Sequence, residues 1–183
     1  MSDSAPVSDR LGTLEETAGG WRLRFVRHLD RSPATVWRAF ADPDLVARWF
    51  PTTIEGNLVA GAPLRFELLG FKAEPFQGKV VEVDEPHLLV LLWGLDTLRF
   101  ELAETPGGTD LTMTVEISEL GRAARDGAGW HQCLDNLARM YAHDPDLCEV
   151  DTWAAAHPHY VRRFGPEAAA SPPPQEFLDT LED

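Results

Sequence analysis

The stretch SPATVWRAFADPDLVARWF, Ser32 to Phe50, sets two tryptophans and two phenylalanines directly behind a Ser-Pro helix start. Ser32 can accept from the free amides of a first turn, and Pro33, with its φ already helical and no N–H to satisfy, suits the first helical position. Val36, Trp37 and Phe40 then share one helical face. The pattern breaks at Asp42-Pro43, because the residue before a proline is pushed out of the α region, and Asp42 is free to cap a second short helix carrying Leu45, Val46, Trp49 and Phe50. The spacing therefore predicts a pair of short helices rather than one long one.

Working outward, LGTLEETAGGWRLRFVRHLD upstream reads as two strands joined around Gly19 and Gly20, with Leu23, Phe25 and Leu29 alternating against Arg22, Arg24 and His28. Downstream, the period stays near two from Thr53 to Ile117. Leu64, Phe66 and Leu68 lie opposite Arg65 and Glu67, then Leu98, Phe100 and Leu102 opposite Arg99 and Glu101, then Leu111, Met113, Val115 and Ile117 on one side. Gly61, Glu85-Pro86 and Pro106-Gly107-Gly108 supply turns at the spacing of an antiparallel meander. HLLVLLWG is apolar on both faces, so its outer side needs a cover or lies near a self-association surface. The sheet's apolar face needs a partner, and GAGWHQCLDNLARMYAH provides it, with Trp130, Cys133, Leu134, Leu137, Ala138 and Tyr141 in a helical stripe.

Composition narrows the functions. With 183 residues and 44% hydrophobic content the chain suits one domain with tails, and a net charge of -14 opposes both nucleic acid and an anionic membrane surface. The N-terminus has no signal-peptide pattern, and the longest apolar run, Leu88 to Trp93, is too short to span a bilayer, so a cytoplasmic location is expected. Cys133 and Cys148 share no metal-ligand spacing with nearby histidines and read as partly buried thiols.

The order of these elements resembles the helix-grip fold of the START and SRPBCC superfamily. The wording of SPATVWRAFADPDLVARWF, GAPLRFE, GKVVEVDEPHLLVLLW, GGTDLTMTVE and GWHQCLDNLARM is similar to its AHSA-type branch, named for the activator of heat-shock protein 90 ATPase, in a single-domain bacterial form. The resemblance implies an α+β fold in which a curved antiparallel sheet wraps a long C-terminal helix, with the short helix pair after the first strands. It also implies a cavity between sheet and helix that holds small apolar or aromatic molecules.

For the wall of that cavity the inward strand residues Phe66, Leu68, Trp93, Phe100 and Met113 and the helix residues Trp130, Leu134 and Leu137 are the candidates, with Trp37 and Phe40 as core and Trp49 and Phe50 at the mouth. Each also reads as ordinary core, and only a void separates the two readings. Two polar groups could join them: His131, beside Trp130, and Asp96, which shares strand parity with Leu98 and Phe100; their plainer readings are a surface histidine and a solvated turn aspartate. No nucleophile triad, phosphate loop, HExxH or Cys-x-x-Cys pattern is present, so neither a catalytic set nor a cofactor or metal is called. His157 and His159 with Asp151 read as a chance grouping, the rings held apart by Pro158 in an extended segment.

The chain divides into a mobile N-terminus (1–10), the helix-grip domain (11–143), an extension docking on it (144–170), and a Pro-rich break with an acidic tail expected to be disordered (171–183). After His143, nine acidic residues face only Arg162 and Arg163. A binder of a small hydrophobic ligand is the leading reading, a cyclase- or dehydratase-type enzyme using the same cavity is the alternative, and a chaperone-ATPase cofactor acting by surface contact is a weaker one. The strand Leu88 to Trp93 permits a homodimer.

Overall fold

The helix pair forms where the caps place it. In the computed structural model, which describes residues 7–70 and 72–181, Ser32 Oγ accepts from Thr35 N at 3.4 Å at the start of α2 (Pro33–Ala41) and Asp42 Oδ1 accepts from Asp44 N at 3.0 Å at the start of α3 (Pro43–Val46). Before them come a helical turn, α1 (Val7–Arg10), and strands β1 (Thr13–Thr17) and β2 (Gly20–Leu29). After them run β3 (Pro63–Phe66), β4 (Phe76–Asp84), β5 (Leu88–Trp93), β6 (Asp96–Thr105) and β7 (Gly108–Ile117).

The seven strands form one curved antiparallel sheet in the order β1-β2-β7-β6-β5-β4-β3. Its inner face is apolar and buried, from Leu23 and Phe25 on β2 through Met113 and Val115 on β7, Leu98 and Phe100 on β6, and Leu89 and Leu91 on β5, to Phe66 on β3. On the outer face of β5, Val90 is only 5% exposed. Its neighbours across the ladder are Glu82 on β4 and Arg99 on β6, which approach to 3.7 Å over it, so the cover that this two-sided apolar strand requires comes from the stems of an ion pair.

Helix α4 (Ala123–Tyr141) lies across the inner face, about five turns long and starting about two turns before the first residue of the apolar stripe, Trp130. The extension continues into α5 (Trp153–Phe164), which packs along α4. Pro158 lies inside α5 rather than in an extended segment: burial of Trp153, Ala156 and Tyr160 against α4 outweighs the hydrogen bond that the proline removes. Tyr160 lies against the backbone of α4 at Gly127, where a Cβ would sit 2.9 Å from its ring.

Short helices lie near both limits of the described residues. Of the N-terminal segment, residues 1–6 lie outside the described residues, whereas Val7 to Arg10 form the turn α1, and Arg10 is tied into the domain by ion pairs. In the tail, residues 182–183 lie outside the described residues, and Gln175–Asp179 form α6, with Phe177 edge-on to Trp153 at 5.2 Å. Phe177 supplies the apolar contact that the acidic composition hides. No helix among the described residues is long and apolar enough to cross a membrane.

The close approach at Gly127 sets a sign. Alanine favours a helix interior by about 1 kcal/mol over glycine, but Tyr160 is held by hydrogen bonds and cannot retreat from a new methyl. Gly127→Ala is therefore expected to lower stability by about 1–3 kcal/mol, the usual cost of overpacking; urea denaturation checks it, and a stabilised variant would contradict the packing described.

Candidate functional site

Between the sheet and the helices lies a continuous set of aromatic rings. Phe40 meets Phe100 at 5.0 Å, Trp49 meets Phe40 at 5.4 Å, Phe50 meets Trp130 at 5.6 Å, and Trp93 meets Trp130 at 5.5 Å and Phe76 at 5.1 Å, most of them tilted or edge-to-face. Each such pair adds about 0.5–1.5 kcal/mol beyond simple burial. Gly78 permits this at the β4 end, where a Cβ would lie 2.7 Å from the Phe66 ring. The rings thus contact one another from α2 across to the β4–β5 end of the sheet.

The residues expected at the wall are brought together here in large part. Phe66, Phe100, Met113, Leu134 and Leu137 are buried and Trp130 is 5% exposed. Leu68 lies just past β3, half-buried, in an isolated bridge with Thr52. Trp49 and Phe50 are not at a mouth: they are 2% and 3% exposed, because the turn after α3 folds them inward and the Trp49 indole donates to Ala39 O at 2.9 Å. The rings that reach the surface are Phe76 and Trp93. The Trp93 indole donates to the buried Thr52 hydroxyl over a longer 3.3 Å.

Asp96 closes the same end. It sits directly opposite Trp93 in the β5–β6 register, only 4% exposed, and is gripped by both terminal nitrogens of Arg122, which also reaches Asp126 at 3.1 Å. It is thus a paired inward carboxylate, not a solvated turn residue. Burial pushes the Asp126 carboxyl up against the opposing pull of Arg125 and Arg122.

His131 is a correction of a different kind. It is fully buried on the flank of α4 turned to the extension, neither at the surface nor at a cavity mouth. Its Nδ1 lies 3.1 Å from the Tyr160 hydroxyl, which accepts from Gly12 N at 2.9 Å, so with Nε2 protonated the tyrosine O–H donates to Nδ1. Nε2 lies 3.2 Å from Asp151 Oδ2 and 3.3 Å from Asp135 Oδ2. Arg10 bridges the same two oxygens at 2.7 and 2.6 Å. Asp135 also accepts from Arg27 Nε at 3.1 Å and from Asp151 N at 3.2 Å, while Arg27 Nη2, 3.0 Å from Asp135 Oδ1, is off the hydrogen-bonding direction.

The donor atoms of His131, Asp135 and Asp151 all fall within 4.8 Å of one another, a spacing that would suit a metal. Two guanidinium groups already neutralise the carboxylates, and Arg10 stands where a cation would, so the set is a closed ion network. His157 instead stacks on Trp153 at 4.4 Å, and His159 bonds Arg162 at 3.1 Å. Burial pushes the Cys133 thiol up to about 12, which leaves it protonated and poorly nucleophilic at neutral pH.

The network escaped sequence reasoning although part of its signal was present. Arg27 shares strand parity with Leu23, Phe25 and Leu29, a charge at an inward position, and His131 and Asp135 are spaced i, i+4 on α4. Arg10, Asp151 and Tyr160 carry no local signal at all, because distant chain folding brings them in.

Comparison with known proteins agrees with this fold. Residues 30–142 match the family described as Activator of Hsp90 ATPase homolog 1-like protein, and the chain belongs to that family. No curated protein matches it. Among solved structures, the conserved protein EF2215 of unknown function from Enterococcus faecalis has a TM-score of 0.70 at 24% identity, covering 83% of this chain and 89% of that one. CalU16 from Micromonospora echinospora has a TM-score of 0.65 in solution at 19% identity, covering 88% and 96%. An AHSA1-like protein from Aeromonas hydrophila has a TM-score of 0.54 at 26% identity, covering 64% and 90%.

Two outcomes follow from the network. Asp135→Asn leaves Arg27, 5% exposed, without its counter-charge. Loss of one partner of a buried pair costs about 3–5 kcal/mol, which urea denaturation at neutral pH will read; a change below about 1 kcal/mol, the scale of an exposed pair, would contradict the burial.

The pH dependence has a defined sign. Burial pushes Asp135 up, but the hydrogen bond from His131 and the charges of Arg27 and Arg10 outweigh it and hold the carboxyl below its ordinary value. Its contribution is therefore full above the ordinary carboxylate value and is lost as pH falls through the lower folded-state value. Asp126, held high, acts in the opposite sense. Removing Asp135 as Asp135→Asn is expected to flatten the acid-side fall in stability, read from denaturation midpoints between about pH 5 and 2; an unchanged slope would contradict it.

Proposed function

We propose that this protein binds a small hydrophobic or aromatic molecule among the rings between the sheet and α4. The observation that carries this reading is the continuity of the half-exposed Phe76 and Trp93 with the buried set Phe50, Phe66, Phe100 and Trp130, an apolar path from the surface inward. Trp93 is the ring that yields. It is more exposed than Trp49 and Trp130, and its indole bond to Thr52 is longer than that of Trp49 to Ala39. A visitor that turns Trp93 aside inherits its edge-to-face contacts with Phe50, Phe66 and Trp130, so the cost of displacement is offset ring for ring. Catalysis in this space has less support, because the ionisable groups at its rim, Asp96, Arg122 and Asp126, are bonded to one another.

The test is titration with the neutral dye N-phenyl-1-naphthylamine, followed by its fluorescence and by energy transfer from tryptophan. Saturable one-to-one binding is expected, and Trp130→Leu should weaken it about three- to tenfold, the equivalent of one lost aromatic pair. Binding that does not saturate, or that ignores the substitution, would remove the reading.

A further inference from the structure

The structure assigns Asp135 a positioning role: it fastens α4 from the flank away from the rings and so governs how readily the aromatic space opens, an inference that rests on the binding reading above. Four separate parts of the chain converge on this one carboxylate. Arg10 comes from the N-terminal turn, Arg27 from the inner face of β2, His131 from the preceding turn of α4, and the Asp151 amide from the extension. The extension is held a second time, by Tyr160 between Gly12 N and His131 and against Gly127. Helix α4 is thereby clamped between β2 and α5, while Trp130, on its other flank, closes the rings against Phe50 and Trp93.

A molecule entering past Trp93 meets Trp130 next, and room for it requires α4 to give way. The clamp is complete in the free protein and again once the helix has settled on a bound molecule, but strained or broken while the helix is displaced. A contact equal in both end states and missing between them changes rates and leaves affinity alone. Asp135 is bonded on the flank of α4 that faces Arg10, Arg27 and the extension, so it acts through Trp130 and not on the ligand.

Stopped-flow mixing with N-phenyl-1-naphthylamine separates this from a role in folding alone. In Asp135→Asn, entry and exit should both quicken about tenfold while Kd stays within about twofold, the signature of a lowered barrier between unchanged end states. Arg10→Gln, which keeps the Arg27 pair intact, should quicken both by a smaller factor and decides the matter if Asp135→Asn does not fold. Leu23→Ala, a core truncation of β2 that also lowers stability, should leave both rates at the wild-type value. Unchanged rates in the two network variants, or equal acceleration in Leu23→Ala, would overturn the role of Asp135 while leaving the binding reading intact. Failure of the wild-type protein to bind the dye saturably would remove both.

Discussion

A buried guanidinium and a buried carboxylate on opposing faces of the core, Arg27 of β2 and Asp135 of α4, have to meet, and that requirement fixes how the helix lies on the sheet. Apolar contacts alone tolerate sliding, since one leucine against another is nearly as good a turn away. An unpaired charge in the same place is not tolerated, because its desolvation has no compensation. The pair therefore acts as a register pin, and the position of Trp130 over Phe50 and Trp93 follows from it.

Around that pin the structure separates into an apolar side and a polar side of one helix. The apolar side closes on the rings of α2, of the turn after α3, and of β3 to β6. The polar side receives the N-terminal turn and the extension, both drawn in by charge and by a tyrosine lodged against a glycine. The two sides meet in α4, so the N-terminal turn and the extension share their anchor with the aromatic set.

Much of the fold was legible in the sequence because its periodicities are local. The caps at Ser32 and Asp42, the alternation in β6 and β7 and the stripe on α4 each declare themselves within a dozen residues. The burial of Phe66, Phe100 and Met113 followed from the same parity. What stayed hidden depended on the distant chain: the inward turn that buries Trp49 and Phe50, and Arg122 arriving at Asp96. Pro158, a helix breaker by local rules, sits inside α5 because tertiary burial there outweighs propensity. The pairing of the rings with one another could not have been read either, since parity shows which side chains face inward but not which of them meet.

The central claim is that an apolar molecule enters at Trp93 and lodges beside Trp130. The chain has six tryptophans, and each indole N–H gives its own signal in a proton–nitrogen correlation spectrum. Titration with N-phenyl-1-naphthylamine should move the Trp93 and Trp130 signals along one saturable curve and leave those of Trp21 and Trp153 in place. Shifts confined to Trp21 or Trp153, or no saturable shift at Trp93 and Trp130, would contradict it.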